Sequence, residues 1–365
     1  MNESADARGD RWVRVRNGRT LYRDTDAHVA LILRTLGIDE AAWTATLDRY
    51  ADTAGATGSV DDRLRALALA FHPASPHALP VPAAAAAPCP ACALPAMRPI
   101  VARRCGDDRP PLVYGECPRC GHGYLLAGAA PTTAYEGDAY FRQRGDDGVG
   151  YNDYGGDREY RQAKGARLLE WIEQGASICA KAPAVLEVGS GFGFTLGAAM
   201  ARGWRTAGVD INPAAARGAR ALYGIETVTA TLGEALEAGV IARGAWDVVL
   251  YQFVLEHLAE PEVELRHAAK VIAPGGHLAV VVPNMSTFEL DVFGASYRSL
   301  RADHRHLFSL ASLRSYLASQ GFVDVAHRTT CSLHLVRGFL DARELDDLYA
   351  NDRGPDLFLL ARRNV

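Results

Sequence analysis

The segment Val185-Leu-Glu-Val-Gly-Ser-Gly-Phe-Gly-Phe194 constrains this chain most. A short apolar run with one acid, Glu187, leads into Gly189, Gly191 and Gly193, and a helix-forming stretch follows from Thr195 to Arg202. The pattern predicts a buried strand, a tight glycine turn and a helix start. Glycines there let the backbone approach a ligand, and the helix N-terminus favours polar or anionic groups. A second strand, Thr206-Ala-Gly-Val-Asp210, ends in a carboxylate, which suits the two hydroxyls of a ribose. Together these features predict a nucleoside-containing cofactor.

The dinucleotide fingerprint G-x-G-x-x-G fails here, because its third glycine position holds Phe194. The spacing is E-x-G-x-G-x-G from Glu187 instead, and it resembles the first motif of class I S-adenosylmethionine-dependent methyltransferases. Trp246-Asp-Val-Val-Leu-Tyr-Gln-Phe-Val-Leu-Glu-His257 resembles their fourth strand and the loop after it. Ala273-Pro-Gly-Gly-His-Leu-Ala-Val-Val-Val-Pro283 resembles their turn into strand five. The resemblance spans roughly 145–365. It implies S-adenosyl-L-methionine as cofactor, with Glu187, Gly189, Ser190, Gly191 and Gly193 at its amino-acid end. Asp210 then takes the ribose, Ile211 and Thr231-Leu232-Gly233 flank the adenine, and Gln252 and Phe253 face the methionine part. Two other readings stay open: a nicotinamide dehydrogenase or non-binding Rossmann-like domain, and for Asp210 a cap on the helix after Pro213.

The chain has 365 residues, enough for two domains, and a net charge of −4. That balance argues against general attraction to nucleic acid or anionic membrane. The polar start, Met1 to Asp10, predicts no signal peptide, and no apolar stretch reaches membrane-spanning length. A cytoplasmic location is expected. An odd number of cysteines, seven, argues against a disulfide framework.

Four cysteines form two C-x-x-C pairs, Cys89/Cys92 and Cys117/Cys120. Two such knuckles bring four thiolates to one tetrahedral centre, which predicts a closed, structural Zn²⁺ site without a position for water. A redox dithiol is the alternative, and His122 is expected to be a bystander. The domain reading is a helical N-terminal region at 1–79, a linker at 80–88, a zinc-binding segment at 89–130, an aromatic-rich connecting helical region at 131–182, and the methyltransferase domain at 183–365. Helices are expected at 27–36, 39–50, 61–71 and 157–174. From 184 onward strands (184–188, 205–210, 225–229, 246–251, 277–282) alternate with helices (194–202, 213–223, 233–238, 261–272, 310–319). Such alternation predicts an α/β fold with a parallel sheet covered on both faces. Strands at 322–328 and 356–362 complete a seven-stranded, Rossmann-like sheet. By the resemblance, the last strand is antiparallel and sits between strands five and six.

A histidine after strand four, with Asp303-His-Arg-His306-Leu-Phe-Ser309 after strand five, resembles the sugar C-methyltransferases that carry an N-terminal zinc domain. That resemblance makes His257, His304 and Asp303 catalytic candidates, with Asp303 orienting His304, and makes Tyr297 an acceptor contact. Tyr151 and Tyr154 are candidates for covering the cofactor or lining the acceptor pocket, with plain packing as the other reading. An imidazole suits proton removal from a hydroxyl or activated carbon; His306 is expected to pack. The expected partner is a small polar metabolite, as in natural-product biosynthesis, modified on oxygen, carbon or nitrogen. The first 88 residues have no counterpart in those enzymes and are candidates for a homodimer or carrier contact. The rivals are an RNA-modifying enzyme gripping nucleic acid through its zinc ribbon, and a protein that only binds cofactor. The acidic charge balance and the absence of [DN]-P-P-[YF] at Tyr251-Gln-Phe-Val254 count against the first.

Overall fold

A computed structural model describes residues 3–5, 11–14, 20–21, 41, 45 and most of 87–364. Within that last span the exceptions are 96, 104–111, 131–134, 136, 143–148, 152, 157, 177, 179–181, 295–296 and 331–341. The helices expected at 27–36 and 61–71 therefore lie outside the described residues, as do Cys105, Cys179 and Cys331; of the one expected at 39–50, only residues 41 and 45 are described, and both are helical. At the N-terminus, β1 (Glu3–Ala5), β2 (Arg11–Arg14) and β3 (Thr20–Leu21) form a small antiparallel sheet. The sequence reading contains no such element.

Next come β4 (Arg98–Arg103), β5 (Leu112–Glu116) and β6 (Gly123–Ala127), with the cysteine pairs at their ends. A short helix α1 (Ala139–Arg142) and the long α2 (Arg158–Ala176) lead into the main sheet. The remaining order is β7 (Ala184–Val188), α3 (Phe194–Met200), β8 (Arg205–Asp210), α4 (Pro213–Tyr223), β9 (Thr227–Thr229), α5 (Leu232–Glu237) and β10 (Trp246–Gln252). It continues with α6 (Pro261–Val271), β11 (Ile272–Pro283), α7 (Phe288–Phe293), β12 (His306–Leu307), α8 (Leu310–Ser319), β13 (Phe322–Thr330), α9 (Ala342–Ala350) and β14 (Asp356–Arg363).

The seven-stranded sheet has the order β13-β14-β11-β10-β7-β8-β9. Strands β7 to β11 pair in parallel, and β14 runs antiparallel between β11 and β13, as the sequence leads one to expect. Alternate side chains of each strand enter opposite cores. Leu186, Val249, Tyr251, Leu278, Val280 and Leu359 pack with Leu232, Leu265 and Leu313 on one face. Val185, Val248, Leu250, Val281 and Leu360 pack with Leu168, Ile172 and Leu196 on the other. Both faces are dry, which is why these strands read as continuous apolar runs. Strand order reverses between β7 and β10, and open α/β sheets bind ligands at the carboxyl ends beside such a reversal.

Three features differ from the sequence reading. Strand β11 begins at Ile272 rather than 277, because a register shift opposite Trp246/Val248 lets the Ala273–Gly276 turn join the ladder. Helices α7 and α9 occupy segments that read as loops. Most consequential, β12 leaves the segment after strand five and pairs antiparallel with β6, completing the sheet β12-β6-β5-β4. The cysteine-bearing unit is thus built partly from the C-terminal half.

Candidate functional site

The glycine loop runs off β7 with Gly189, Gly191 and Gly193 all at positive φ, at 69°, 53° and 73°. Two of them are also required by space. A Cβ on Gly189 would lie 2.4 Å from Val254 Cγ2, and one on Gly191 would lie 2.5 Å from Tyr154 Oη. The first contact joins the glycine loop to the loop after strand four. The second lays Tyr154 over the glycines, within a cluster of Phe141, Tyr151, Phe192 and Phe194. Arg161 lies 4.2 Å from the Tyr154 ring centre.

Asp210 ends β8. It accepts the Gly191 N–H at 2.9 Å and the Asn212 N–H at 2.8 Å. It does not cap the next helix; Asn212 does, taking the Ala214 N–H at 2.9 Å. With capping assigned to Asn212, the Asp210 carboxylate keeps lone pairs for a ligand while bracing the glycine loop. Glu187 is buried, and its Oε2 has no partner among the described residues; the same holds for Ser190 Oγ. Burial, then the charge of Asp210, pushes the Glu187 carboxyl up to about 8. Two buried carboxylates that repel each other form a site for a cation. S-adenosylmethionine carries an ammonium and a sulfonium together with a ribose, so the donor set fits it. Gln252 accepts from Thr195 Oγ1 at 3.1 Å at this end of the sheet. Phe253 takes a φ of 57° at the end of β10, a conformation costing about 1–3 kcal/mol and characteristic of functional turns. Ile211 is half exposed beside Asp210, ready to cover a flat ring. Leu232 is a correction: it has no exposed surface and packs in the core, so it offers no face to adenine. Asp210→Ala is expected to weaken cofactor binding by about 1–3 kcal/mol, the cost of unpaired ribose hydroxyls; calorimetry giving wild-type affinity would remove the ribose role.

The acceptor candidates meet beyond β10 and β11. His257 sits in a single 3₁₀ turn, Leu255–His257, and its ring lies 4.8 Å from that of His304. Glu256 joins them: ligating atoms of Glu256, His257 and His304 all lie within 4.8 Å of one another. The His257 Nδ1–H donates to the Asp303 carbonyl at 2.9 Å, and the His304 Nδ1–H donates to the Ser299 carbonyl at 2.9 Å. A carbonyl can only accept, so both neutral rings carry their proton on Nδ1 and leave Nε2 as a base. Burial holds both imidazoles below the ordinary histidine value, well below for His304. Burial also raises the Glu256 carboxyl well above its usual range, and neither of its oxygens has a hydrogen-bond partner among the described residues. Glu256 precedes His257 directly in the sequence, but the sequence reading gave it no role of its own.

Asp303 does not orient His304. Its carboxylate is gripped by both Arg301 nitrogens at 2.9 Å and faces His257 Nδ1 at 3.7 Å. Burial alone would raise it, but His304, Arg301 and His257 outweigh burial and hold it down to about 2. The His304 Nδ1 turns to the Ser299 carbonyl instead. Tyr297 is a second correction: it is fully buried and its hydroxyl donates to the Asn284 carbonyl, away from the imidazoles. Tyr135, one of the aromatics that precede the first strand of the main sheet, meets His257 instead, with its hydroxyl 3.0 Å from His257 Nδ1 and donating to the Asp303 carbonyl.

The four thiols also converge, all within 4.8 Å, with Cys89–Cys120 at 3.7 Å and Cys92–Cys117 at 3.5 Å. Four thiolates around a metal at about 2.3 Å lie about 3.8 Å apart, so the set fits a tetrahedral ion. His122 is no ligand. It is fully buried, with Nε2 3.0 Å from His306 Nδ1 and Nδ1 3.2 Å from Ser312 Oγ, locking the thiol unit against α8. His306 packs on Phe308 as expected.

Residues 156–327 match the family described as a methyltransferase domain. A ubiquinone biosynthesis O-methyltransferase of Ralstonia nicotianae is 34% identical over 135 residues, 35% of this chain and 55% of that protein. Its counterpart in Cupriavidus pinatubonensis is 33% identical, over 35% of this chain and 53% of that protein. The chain thus spans about half the length of these curated relatives. A solved S-adenosylmethionine-dependent methyltransferase from Archaeoglobus fulgidus superposes with a TM-score of 0.43 at 19% identity, covering 57% of this chain and 97% of that one. Among the described residues no helix is long and apolar enough to cross a membrane. The family match covers the glycine loop, Asp210 and strands β7 to β11, so residues 156–327 are similar to a methyltransferase domain.

Proposed function

We propose that the chain moves a methyl group from S-adenosylmethionine to an oxygen or carbon of a small polar metabolite in natural-product biosynthesis. One observation carries the reading: two imidazoles, each with its Nδ1 committed to a backbone carbonyl, meet beyond the carboxyl ends of β10 and β11, on the sheet that also carries the glycine loop. The Gly189–Val254 contact and Tyr135 tie the two regions together, since Asn212, next to the ribose acid, donates to the Tyr135 carbonyl at 2.7 Å. The acceptor lies with its O–H or acidic C–H on an imidazole Nε2. The proton would pass to that nitrogen, leaving the oxygen or carbon nucleophilic, and S-adenosylmethionine, when bound, would supply the methyl group and depart as the neutral thioether. The names of the curated relatives favour oxygen as the nucleophile. Cys89, Cys92, Cys117 and Cys120 hold a structural zinc, whose role is to fold its own segment. The test is mass spectrometry of small hydroxylated acceptors and of bulk RNA incubated with labelled cofactor. Label in a small acceptor, matched by demethylated cofactor, supports the reading, and label in RNA alone refutes it.

Glu187 adds a measurable pH effect. In the ligand-free protein its carboxyl holds a proton up to about pH 8, whereas a bound ammonium or sulfonium favours the ionised form. Binding at pH 7 must therefore release a proton, and affinity must rise with pH until Glu187 is already ionised. Calorimetry in buffers of different ionisation enthalpy is expected to show that release, and Glu187→Gln to abolish it. Equal heats in every buffer would show that Glu187 does not face the cation.

A further inference from the structure

Tyr114 belongs to β5, in the sheet that carries the cysteine pairs, and has no exposed surface. Its hydroxyl lies inside the turn 301–304 of the methyltransferase half. It accepts the Arg301 N–H at 3.0 Å, and its own proton is shared between the Arg301 carbonyl and the His304 carbonyl, the latter at 2.9 Å. That turn determines the geometry of both imidazoles. Its Asp303 carbonyl fixes the His257 tautomer, its Arg301 fork holds the Asp303 carboxylate, and its last residue is His304. Backbone bonds from the same unit flank it, Leu125 N–H to Arg305 O at 2.9 Å and Ala130 N–H to Ala302 O at 2.7 Å. These fix where the segment runs; the phenol fixes how the turn is rotated.

We propose that Tyr114 is a positioning residue for the acceptor's base: the cysteine-bearing sheet reaches across with one phenol and sets the rotation of the turn that aims His257 and His304. The inference rests on reading those histidines as serving the acceptor. A buried hydroxyl that makes one accepted and one shared donated bond with a single turn resists its rotation in either direction. Displacing a catalytic group by about 1 Å costs on the order of a hundredfold in rate, so small rotations suffice.

The test is Tyr114→Phe in the full chain, which keeps the ring and removes the hydroxyl. Metal content and cofactor affinity are expected to stay at wild-type values. The ¹⁵N signals of His257 and His304, assigned with single-histidine replacements, are expected to move from the pure Nδ1–H tautomer toward a mixture. Turnover is expected to fall by about 10- to 100-fold with the KM for cofactor unchanged. Unchanged histidine signals, or shifted signals with unchanged turnover, overturn the proposal. If the wild type methylates no small acceptor, the functional reading fails, yet the histidine spectra still decide whether Tyr114 sets the imidazoles. Should the phenylalanine variant fail to fold, 3-fluorotyrosine at position 114 retains the packing and alters only the hydroxyl, and the same spectra are read.

Discussion

Replacing His304 with alanine lowers turnover by roughly 10²- to 10⁴-fold, the range for a lost general base, and leaves cofactor affinity nearly unchanged. The separation is expected because Asp210, Glu187 and the glycine loop lie on β7 and β8, whereas His304 lies on the segment after β11. His257→Ala is expected to act in the same direction. The pH profile checks the mechanism independently. Burial depresses both imidazoles, so the free base persists as pH falls below the ordinary histidine value. Turnover in the wild type should hold through neutral pH and decline only in the acid range, and the single variants should lose that acid limb. If both variants keep normal turnover on the true acceptor, alignment alone drives the reaction and the imidazoles have no chemical role.

Removing the metal is expected to damage more than its own knuckles. Structural zinc contributes about 10–16 kcal/mol to folding in finger peptides, and here four thiols with fitting separations are the centre of a small core with Met97. Cys117→Ser should purify without the one metal ion per chain expected of the wild type. Amide exchange should then accelerate through 112–127. It should also accelerate at 301–309, because β12 pairs with β6 and Ser309 Oγ donates to the Cys120 carbonyl at 2.6 Å. A metal-free variant with wild-type exchange in both segments would show that the thiols hold no structural ion.

Features governed by local pattern were legible in the sequence. Strands β7, β8 and β10 and helices α2, α4, α6 and α8 announce themselves through apolar runs alternating with helix-forming stretches. The glycine loop and Asp210 are also local, and the structure sets both at the sheet's strand reversal. What stayed hidden depends on distance along the chain. Nothing near Tyr135 or Tyr114 says that their hydroxyls reach residues 303 and 301. Tyr297 was an acceptor contact by resemblance alone, but its buried hydroxyl donates inward to the Asn284 carbonyl. Glu256 was visible, yet its significance is that a carboxyl without hydrogen-bond partners among the described residues is buried near two imidazoles, which the fold alone reveals.

The pairing of β12 with β6 has a consequence in time. His306 meets Tyr124, and a ribosome adding about 5–20 residues per second needs about 10–40 s to make the chain between them. For that interval the thiol unit has its metal ligands but lacks its edge strand, so β6 waits as an open edge that other chains can pair with. Early capture of the proposed metal would shorten the exposure of that unit's core but would not close the edge. The C-terminal half thus decides when the N-terminal unit becomes finished, and a fragment ending near residue 130 is not a domain that can be cut out and studied alone.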